Sequence, residues 1–373
     1  MKTRFYFLLL VGLTSTLLGS YALAAKKATV STPTNQAVSI AYLTQLQTQP
    51  TQMLSNLDLF INEKGSIGAQ LAISDNNTTG EFTHQQFTLQ TFIVPEEGDV
   101  ADIFTKQIAT KFNYVVTNLN AKNTLAISNL AADKPILFFD AGTTDDALRG
   151  EQCKKNILHL LPSRAMKADA LAQYLLKKRW TKWFLVSGSE PEDVLFVNAL
   201  KRAAKRFGTK IVLEKKWEHT FDARKSAQSD VAVFSQADDY DVLVVADEQG
   251  LFGEYLEYRT WLARPVVGTQ GLIASAWHKT HEQWGAAIGE AATRTKSNEL
   301  DTISRYLRSS QFTLQGYKGN PLSFRSWDGQ LRQSILLVAP RSFVASAPIE
   351  GFLHPKTELD TLGFDQNESM CHF

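Results

Sequence analysis

The 373-residue chain predicts an α/β protein of two Rossmann-like lobes, each with a parallel central sheet, joined by a hinge. Three observations carry that prediction. Short apolar runs alternate with amphipathic helical stretches, which argues for parallel sheets covered on both faces. The rhythm occurs twice, over about 36–150 and again over about 165–272. No low-complexity linker separates the two runs, and no repeat at a solenoid period replaces them.

The chain opens with Lys2 and Arg4, an apolar run, and small residues at Ala22 and Ala24. That is the three-part pattern of a secretory signal, expected to span residues 1–24. A membrane anchor is the competing reading. Ser15, Thr16, Gly19 and Ser20 interrupt the run, leaving it short of the roughly 20 apolar residues a span needs. No cysteine follows the small residues to carry a lipid anchor.

In the first run, "VSIAYL" (38–43), "FTLQTFIV" (87–94), "YVVTNL" (114–119) and "KPILFFDAG" (134–142) read as strands. "GSIGAQLAI" and "DVADIFTKQIATKF" (99–112) space their apolar groups for one helical face. Between the first of these helices and its strand stands "DNNTTG" (75–80). Asn and Gly tolerate left-handed backbone, and Asp and Thr satisfy freed backbone groups, so this stretch is expected to be a structural turn rather than a ligand loop.

In the second run "KWFLVSGSE" (182–190), "KIVLEKKWE", "YDVLVVAD" and "RPVVGTQGL" read as strands. "ADALAQYLLKKRW", "EDVLFVNALKRAAKRFG" and "LFGEYLEYRTWLA" read as helices, with Gly208 stopping the second. Beyond them, "WHKTHEQWGAAIGEAATRTK" and "ELDTISRYLRSS" look helical, placing Trp277 and Trp284 on one helical face. Asp328-Gly329 marks a hairpin within "LSFRSWDGQLRQSILLVAP", and a polar tail closes the chain. The expected layout is lobe one over 36–163 with a return segment near 274–310. Lobe two covers 164–273 with a hairpin near 311–345, and the tail covers 346–373.

Thirty-nine basic residues against 38 acidic ones leave no basic face for nucleic acid and no polybasic block for anionic lipid. The only cysteines are Cys153 and Cys371, too few for a zinc cluster. They form one disulfide or remain two free thiols, and an exported chain favours the bond. Enzymatic motifs are missing. "VSGSEP" lacks the glycines of a nucleophile elbow, and no phosphate loop or dinucleotide fingerprint is present. His278 and His281, with Glu282 beside them, do not complete a metal-ligand pattern. No catalytic residue, metal or cofactor is expected.

Several stretches resemble type I periplasmic binding proteins of branched-chain amino acid ABC transporters. "GAQLAISDNNTTGEFTHQQFTLQTF" is similar to that family's first helix and second strand. "FFDAGTTDDALRG" is similar to its ligand loop, and "RAMKADALAQYLLKKRWTKWFLVSGSEPEDVLFVNALKRAAKRFGTKIV" to its entry into lobe two. "LRGEQCKKNILHLLPSRAM", "SFRSWDGQLRQSILLV" and "EGFLHPKTELDTLGFD" resemble a branch that accompanies pyrroloquinoline-quinone-dependent alcohol oxidation. Near Gly285 the chain joins directly where the family carries some tens more residues.

The resemblance implies a periplasmic, monomeric protein that binds a small molecule between its lobes and serves an ABC permease. The alternative is the same fold signalling ligand occupancy to a receptor or kinase. In open α/β sheets ligands sit beyond the carboxyl ends of the strands. The candidates in lobe one are therefore Asn118, Asn120, Gly142, Thr143 and Thr144. Those in lobe two are Ser187, Ser189, Glu190, Asp247 and Glu248. Thr143, Thr144 and Asp247 could equally be helix caps. The family often holds an amino acid's ammonium with an aromatic in the first loop of lobe two and an acid in another. Here "SGSEPEDV" offers no aromatic, which favours a more polar, cationic or hydroxylated ligand.

Overall fold

The computed structural model describes residues 36–46, 64–217, 233–237, 239–253, 255–256, 264–269, 272–277, 283–316 and 319–373. The expected signal segment, His278, His281, Glu282 and most of "LFGEYLEYRTWLA" lie outside them.

Lobe one is built on β1 (Gln36–Gln45), β2 (Gln85–Val94), β3 (Tyr114–Asn118), β4 (Leu137–Asp140) and β5 (Ile157–His159). They form one sheet of order β2-β1-β3-β4-β5, parallel at every pairing. β3 and β4 are buried along almost their whole length, as a sheet covered on both faces requires. One face packs Ile40, Tyr42 and Val116 under α1 (Lys64–Thr83), α6 (Gln283–Thr295) and α7 (Leu300–Leu307). The other packs Leu43, Val115 and Phe138 against Phe104, Ile108 and Ile127. Phe104 and Ile108 come from the π-helical turn Phe104–Ile108 that extends α2 (Val100–Ile103), and Ile127 from α3 (Ala121–Leu130).

Lobe two repeats the plan with β6 (Lys182–Ser187), β7 (Lys210–Lys216), β8 (Val242–Ala246) and β9 (Val266–Val267). Their order is β7-β6-β8-β9, again parallel. α4 (Arg164–Lys177) and α5 (Pro191–Phe207) cover one face through Leu171, Leu175, Leu200 and Ala203. Gly208 ends α5 at φ +70°, the left-handed conformation that glycine adopts without a Cβ clash. Trp217, Tyr240 and Phe252 fill the other face.

The later strands form antiparallel pieces. β11 (Ser323–Phe324) and β12 (Leu331–Arg332) make the hairpin around Asp328-Gly329. β10 (Ser275–Trp277), β13 (Ile335–Ala339) and β14 (Ser342–Ala347) make a three-stranded sheet that joins the lobe-two core through Ile335, Leu337 and Ala347. Cys153 and Cys371 are disulfide-bonded, closing a sequence separation of 218.

Two expectations need correction. "DNNTTG" is not a turn: α1 runs through it to Thr83, and the chain reverses at His84, φ +57°. Its polar side chains are satisfied without breaking the helix. Asn77 Oδ1 accepts the Phe87 N–H at 2.8 Å, and its amide donates to the Phe87 carbonyl at 3.0 Å, tying the helix to β2. The Asn76 amide donates to Gly285 O of α6 at 2.8 Å. Gly80 is needed because a Cβ there would stand 2.3 Å from Gln85 O. The stretch is structural, but helical. The second correction concerns the tryptophans: Trp277 ends β10 while Trp284 lies in α6, so they share no helical face. α6 runs unbroken through the direct join near Gly285, where a Cβ would meet Ala72 of α1 at 2.6 Å.

Candidate functional site

The carboxyl ends of β1, β3 and β4 in lobe one and of β6, β8 and β9 in lobe two carry the candidate loops. One residue links the two sets. Arg164, the first residue of α4, donates from Nε and Nη2 to Glu248 Oε2 at 3.0 and 2.7 Å. Its Nη1 lies 3.6 Å from Asp145 Oδ2, in the loop after β4. Its backbone N–H donates to Thr144 O at 2.9 Å. The arginine thus joins the lobe-one loop to the loop after β8.

In lobe one most of the predicted residues are occupied locally. The Asn118 amide donates to Thr44 Oγ1 at 3.3 Å and also reaches the Tyr42 hydroxyl. Burial pushes that hydroxyl's pKa up to about 12. Asn120 is the N-cap of α3, its Oδ1 accepting the Asn123 N–H at 2.8 Å. Gly142 is required by close approach, since a Cβ would stand 2.4 Å from Leu119 N. Thr143 is buried, and its hydroxyl accepts the Asp145 N–H at 3.2 Å. Thr144 alone keeps a hydroxyl with no side-chain partner among the described residues.

Beneath this loop lies a buried polar support. Asp140 Oδ1 accepts the N–H groups of Gly142 and Thr143 at 3.1 and 3.0 Å, and Oδ2 is 2.8 Å from His159 Nδ1. Arg149 donates to Thr143 O, Asp145 O, Leu161 O and Gln330 Oε1, the last at 2.6 Å. Burial and the Arg149 guanidinium push the His159 pKa below the ordinary imidazole value, against the pull of Asp140.

Lobe two shows the same economy. The Ser187 carbonyl accepts the Trp217 N–H at 2.7 Å, leaving its hydroxyl unpartnered among the described residues. The Ser189 hydroxyl donates to Trp217 O at 3.3 Å. Glu190 is the N-cap of α5, and its N–H donates to Asp193 Oδ2 at 3.3 Å. Asp247 is buried and caps the next turn, accepting from Leu251, Phe252 and Gly253 N–H groups at 2.9, 2.8 and 2.7 Å. The Glu248 N–H donates to Asp193 Oδ1 at 2.8 Å. Asp193 is fully buried, and burial together with the charges of Asp247 and Glu248 pushes its pKa up to about 6, against the backbone N–H groups it accepts from. Of the ten predicted residues, Thr144, Ser187 and the Oε1 of Glu248 keep unspent hydrogen-bonding capacity.

Several residues at this site carried no sequence signal. Arg164 and Asp193 look like ordinary surface residues of amphipathic helices. The side chain of Lys167, one turn beyond Arg164, has no hydrogen-bond or ion-pair partner among the described residues. Burial lowers its pKa, with Arg164 and Arg149 acting in the same direction against Glu248 and Asp146. Trp217, just past β7, stacks on Phe252 at 5.6 Å within the lobe-two core, and among the described residues its buried indole N–H has no partner. Among the described residues no group of three or more His, Cys, Asp or Glu could hold a metal ion.

The model of a family described as "Periplasmic binding protein" matches residues 61–247, half of the chain. No curated protein matches by sequence. Solved structures do match. One is a branched-chain amino acid ABC transporter periplasmic ligand-binding protein from Burkholderia xenovorans, 17% identical, TM-score 0.63, covering 83% of this chain and 95% of that one. Another is an amino acid ABC transporter substrate-binding protein from Pseudomonas fluorescens, 12% identical, TM-score 0.63, covering 91% and 100%. A third is a leucine-, isoleucine-, valine-, threonine- and alanine-binding protein from Brucella ovis in a closed conformation, 14% identical, TM-score 0.63, covering 90% and 96%. At such identities the likeness is one of fold.

Proposed function

The chain belongs to the periplasmic binding protein family, and from that premise we propose that it captures a small polar ligand between its lobes and delivers it to an ABC permease. The location is the periplasm, and no covalent chemistry is involved. The observation that carries this reading is Arg164 of lobe two, which pairs with Glu248 after β8, lies 3.6 Å from Asp145 of the lobe-one loop and donates its N–H to Thr144 O. Capture is then hinge closure, with the unspent groups of these loops exchanging water for ligand.

The ligand class follows from what is left unspent. Two hydroxyls, one carboxylate oxygen and the Lys167 ammonium suit a compact molecule that both donates and accepts, such as a hydroxylated acid or an amino acid. The resemblance to the branch accompanying quinone-dependent alcohol oxidation favours the hydroxylated members of that set.

A thermal-shift screen of the mature protein tests the reading, because a ligand bound only by the native state raises Tm through mass action. The panel comprises amino acids, 2-hydroxy acids, short alcohols and diols, aldehydes and amines. At least one compound should raise Tm, and Thr144→Val or Ser187→Ala should abolish the shift while leaving the unliganded Tm within about 2 °C. A shift that survives both variants, or none across the panel, counts against this cleft.

A further inference from the structure

The last residues of the chain cross from one lobe to the other. On lobe two, the Gly363 N–H donates to Asp169 Oδ2 of α4 at 2.8 Å. The Gly363 carbonyl accepts from Arg202 Nη2 and Arg206 Nη1 of α5 at 2.8 and 2.6 Å. The Phe364 ring lies 4.0 Å from the Arg202 guanidinium, and Glu368 pairs with Arg202 at 3.2 Å. Beside these anchors, Arg325 of the β11–β12 hairpin, whose Phe324 and Leu331 lie in the lobe-one core, donates to the carbonyls of Leu362 and Phe364 at 2.7 and 3.2 Å.

Three positions after Glu368 the chain is on lobe one. Cys371 is bonded to Cys153, in the loop between Arg149 and β5. The Phe373 ring packs 5.5 Å from the guanidinium of Arg308, at the end of α7. Between the two attachments lies a cavity of about 350 Å³. Asp145 and Arg164 line one side, Leu195 and Arg202 of α5 another, and Phe364 and Met370 of the tail the third. The lobe-one loop and α5 leave a gap, and the tail spans it.

We propose that residues 363–371 are a strap that limits the movement of the two lobes relative to each other, and that the Cys153–Cys371 disulfide locks it. An extended chain of three residues reaches at most about 11 Å, so with both ends held the loop at Cys153 can separate little from α5 at Arg202. Reduction by a dithiol breaks the S–S bond, gives Cys153 and Cys371 each a hydrogen, and leaves the dithiol as its own disulfide. The covalent tie is then gone, leaving only the Phe373–Arg308 contact and the Arg325 hydrogen bonds on that side, and the range of lobe positions widens. This inference rests on the lobe motion invoked for ligand capture, but its test needs no ligand.

Spin labels on genetically encoded keto amino acids at Lys122 and Glu192 avoid thiol chemistry. Both positions are exposed, in the first turns of α3 and α5. Electron–electron resonance should give a narrow distance distribution in the oxidised protein. Dithiothreitol should widen it about twofold while near-ultraviolet dichroism stays native. The double variant Phe364→Ala, Glu368→Ala, which moves the last lobe-two anchor back to Gly363 and so lengthens the strap with the disulfide intact, should widen it as well. It decides the matter if the reduced protein unfolds. An unchanged distribution in the folded reduced protein, or in that variant, would mean a staple with no effect on lobe motion, and the strap would be overturned. Such a result leaves ligand capture standing, just as a negative ligand screen leaves the strap standing.

Discussion

Asp140 and Asp247 stand at the carboxyl ends of inner strands, β4 in lobe one and β8 in lobe two, and both turn a buried carboxylate onto the loop that follows. The local device is the same; the surroundings are opposite. Asp140 lies against His159 and close to the Arg149 guanidinium, so its charge is compensated. Asp247 lies next to Asp193 and Glu248, so its charge adds to others of the same sign. The comparison teaches that one backbone motif can build a rigid loop or a proton-sensitive one, depending on what the fold packs behind it.

Removing each carboxylate should therefore cost different amounts. Asp140→Ala leaves buried His159 without its acid, weakens the charge compensation of Arg149 and frees two backbone N–H groups, so a loss of about 3–5 kcal/mol is expected in urea unfolding. Asp247→Ala frees three N–H groups but relieves repulsion on Asp193, so about 1–3 kcal/mol is expected. Equal losses would break the comparison.

The acid-crowded loop should also titrate. The Asp193 pKa rises from 3.8 to about 6 on folding, so the folded state holds this proton more tightly than the unfolded chain. Its contribution is fully present below about pH 3.8 and is lost as pH rises through about 6. The loss is at most about 3 kcal/mol, at roughly 1.4 kcal/mol for each pKa unit. The check is the difference in stability between the native chain and Asp193→Asn across pH 4–7. It should change with pH in this window, and a constant difference would remove the proposed sensitivity.

The smallest effect belongs to a plain cap. Asn120→Ala should cost about 1 kcal/mol, and Asn120→Asp should restore most of it, because only the side-chain oxygen on Asn123 N–H is used. A change in ligand affinity beyond that stability cost would return Asn120 to the binding site.

Much of the architecture was readable because the physics was local. "YVVTN", "LFFD" and "VLVVA" are apolar runs buried on both faces, and alternation with helices signals parallel sheets. β5, β10 and β14 were not readable. The first two span only three residues, too few for a period. "SFVASA" is a strand because β13 pairs with it, and its own pattern looked like tail. "DNNTTG" misled for a related reason: its turn-favouring residues stay helical because β2 and α6 supply their hydrogen-bond partners.

The sequence by itself determined what depends on neighbouring residues: the alternating elements, the stop at Gly208 and the turn at Asp328-Gly329. It also determined that functional groups should gather at strand ends, since that follows from parallel sheets in general. Tertiary structure alone decided which polar groups remain free there. Asp247 could be a cap or a ligand until the N–H groups of residues 251–253 were seen to occupy it. Glu248 meets Arg164 across 84 positions, and Cys153 meets Cys371 across 218. Such pairings depend on where the folded backbone brings distant segments, and a linear string carries no trace of that distance.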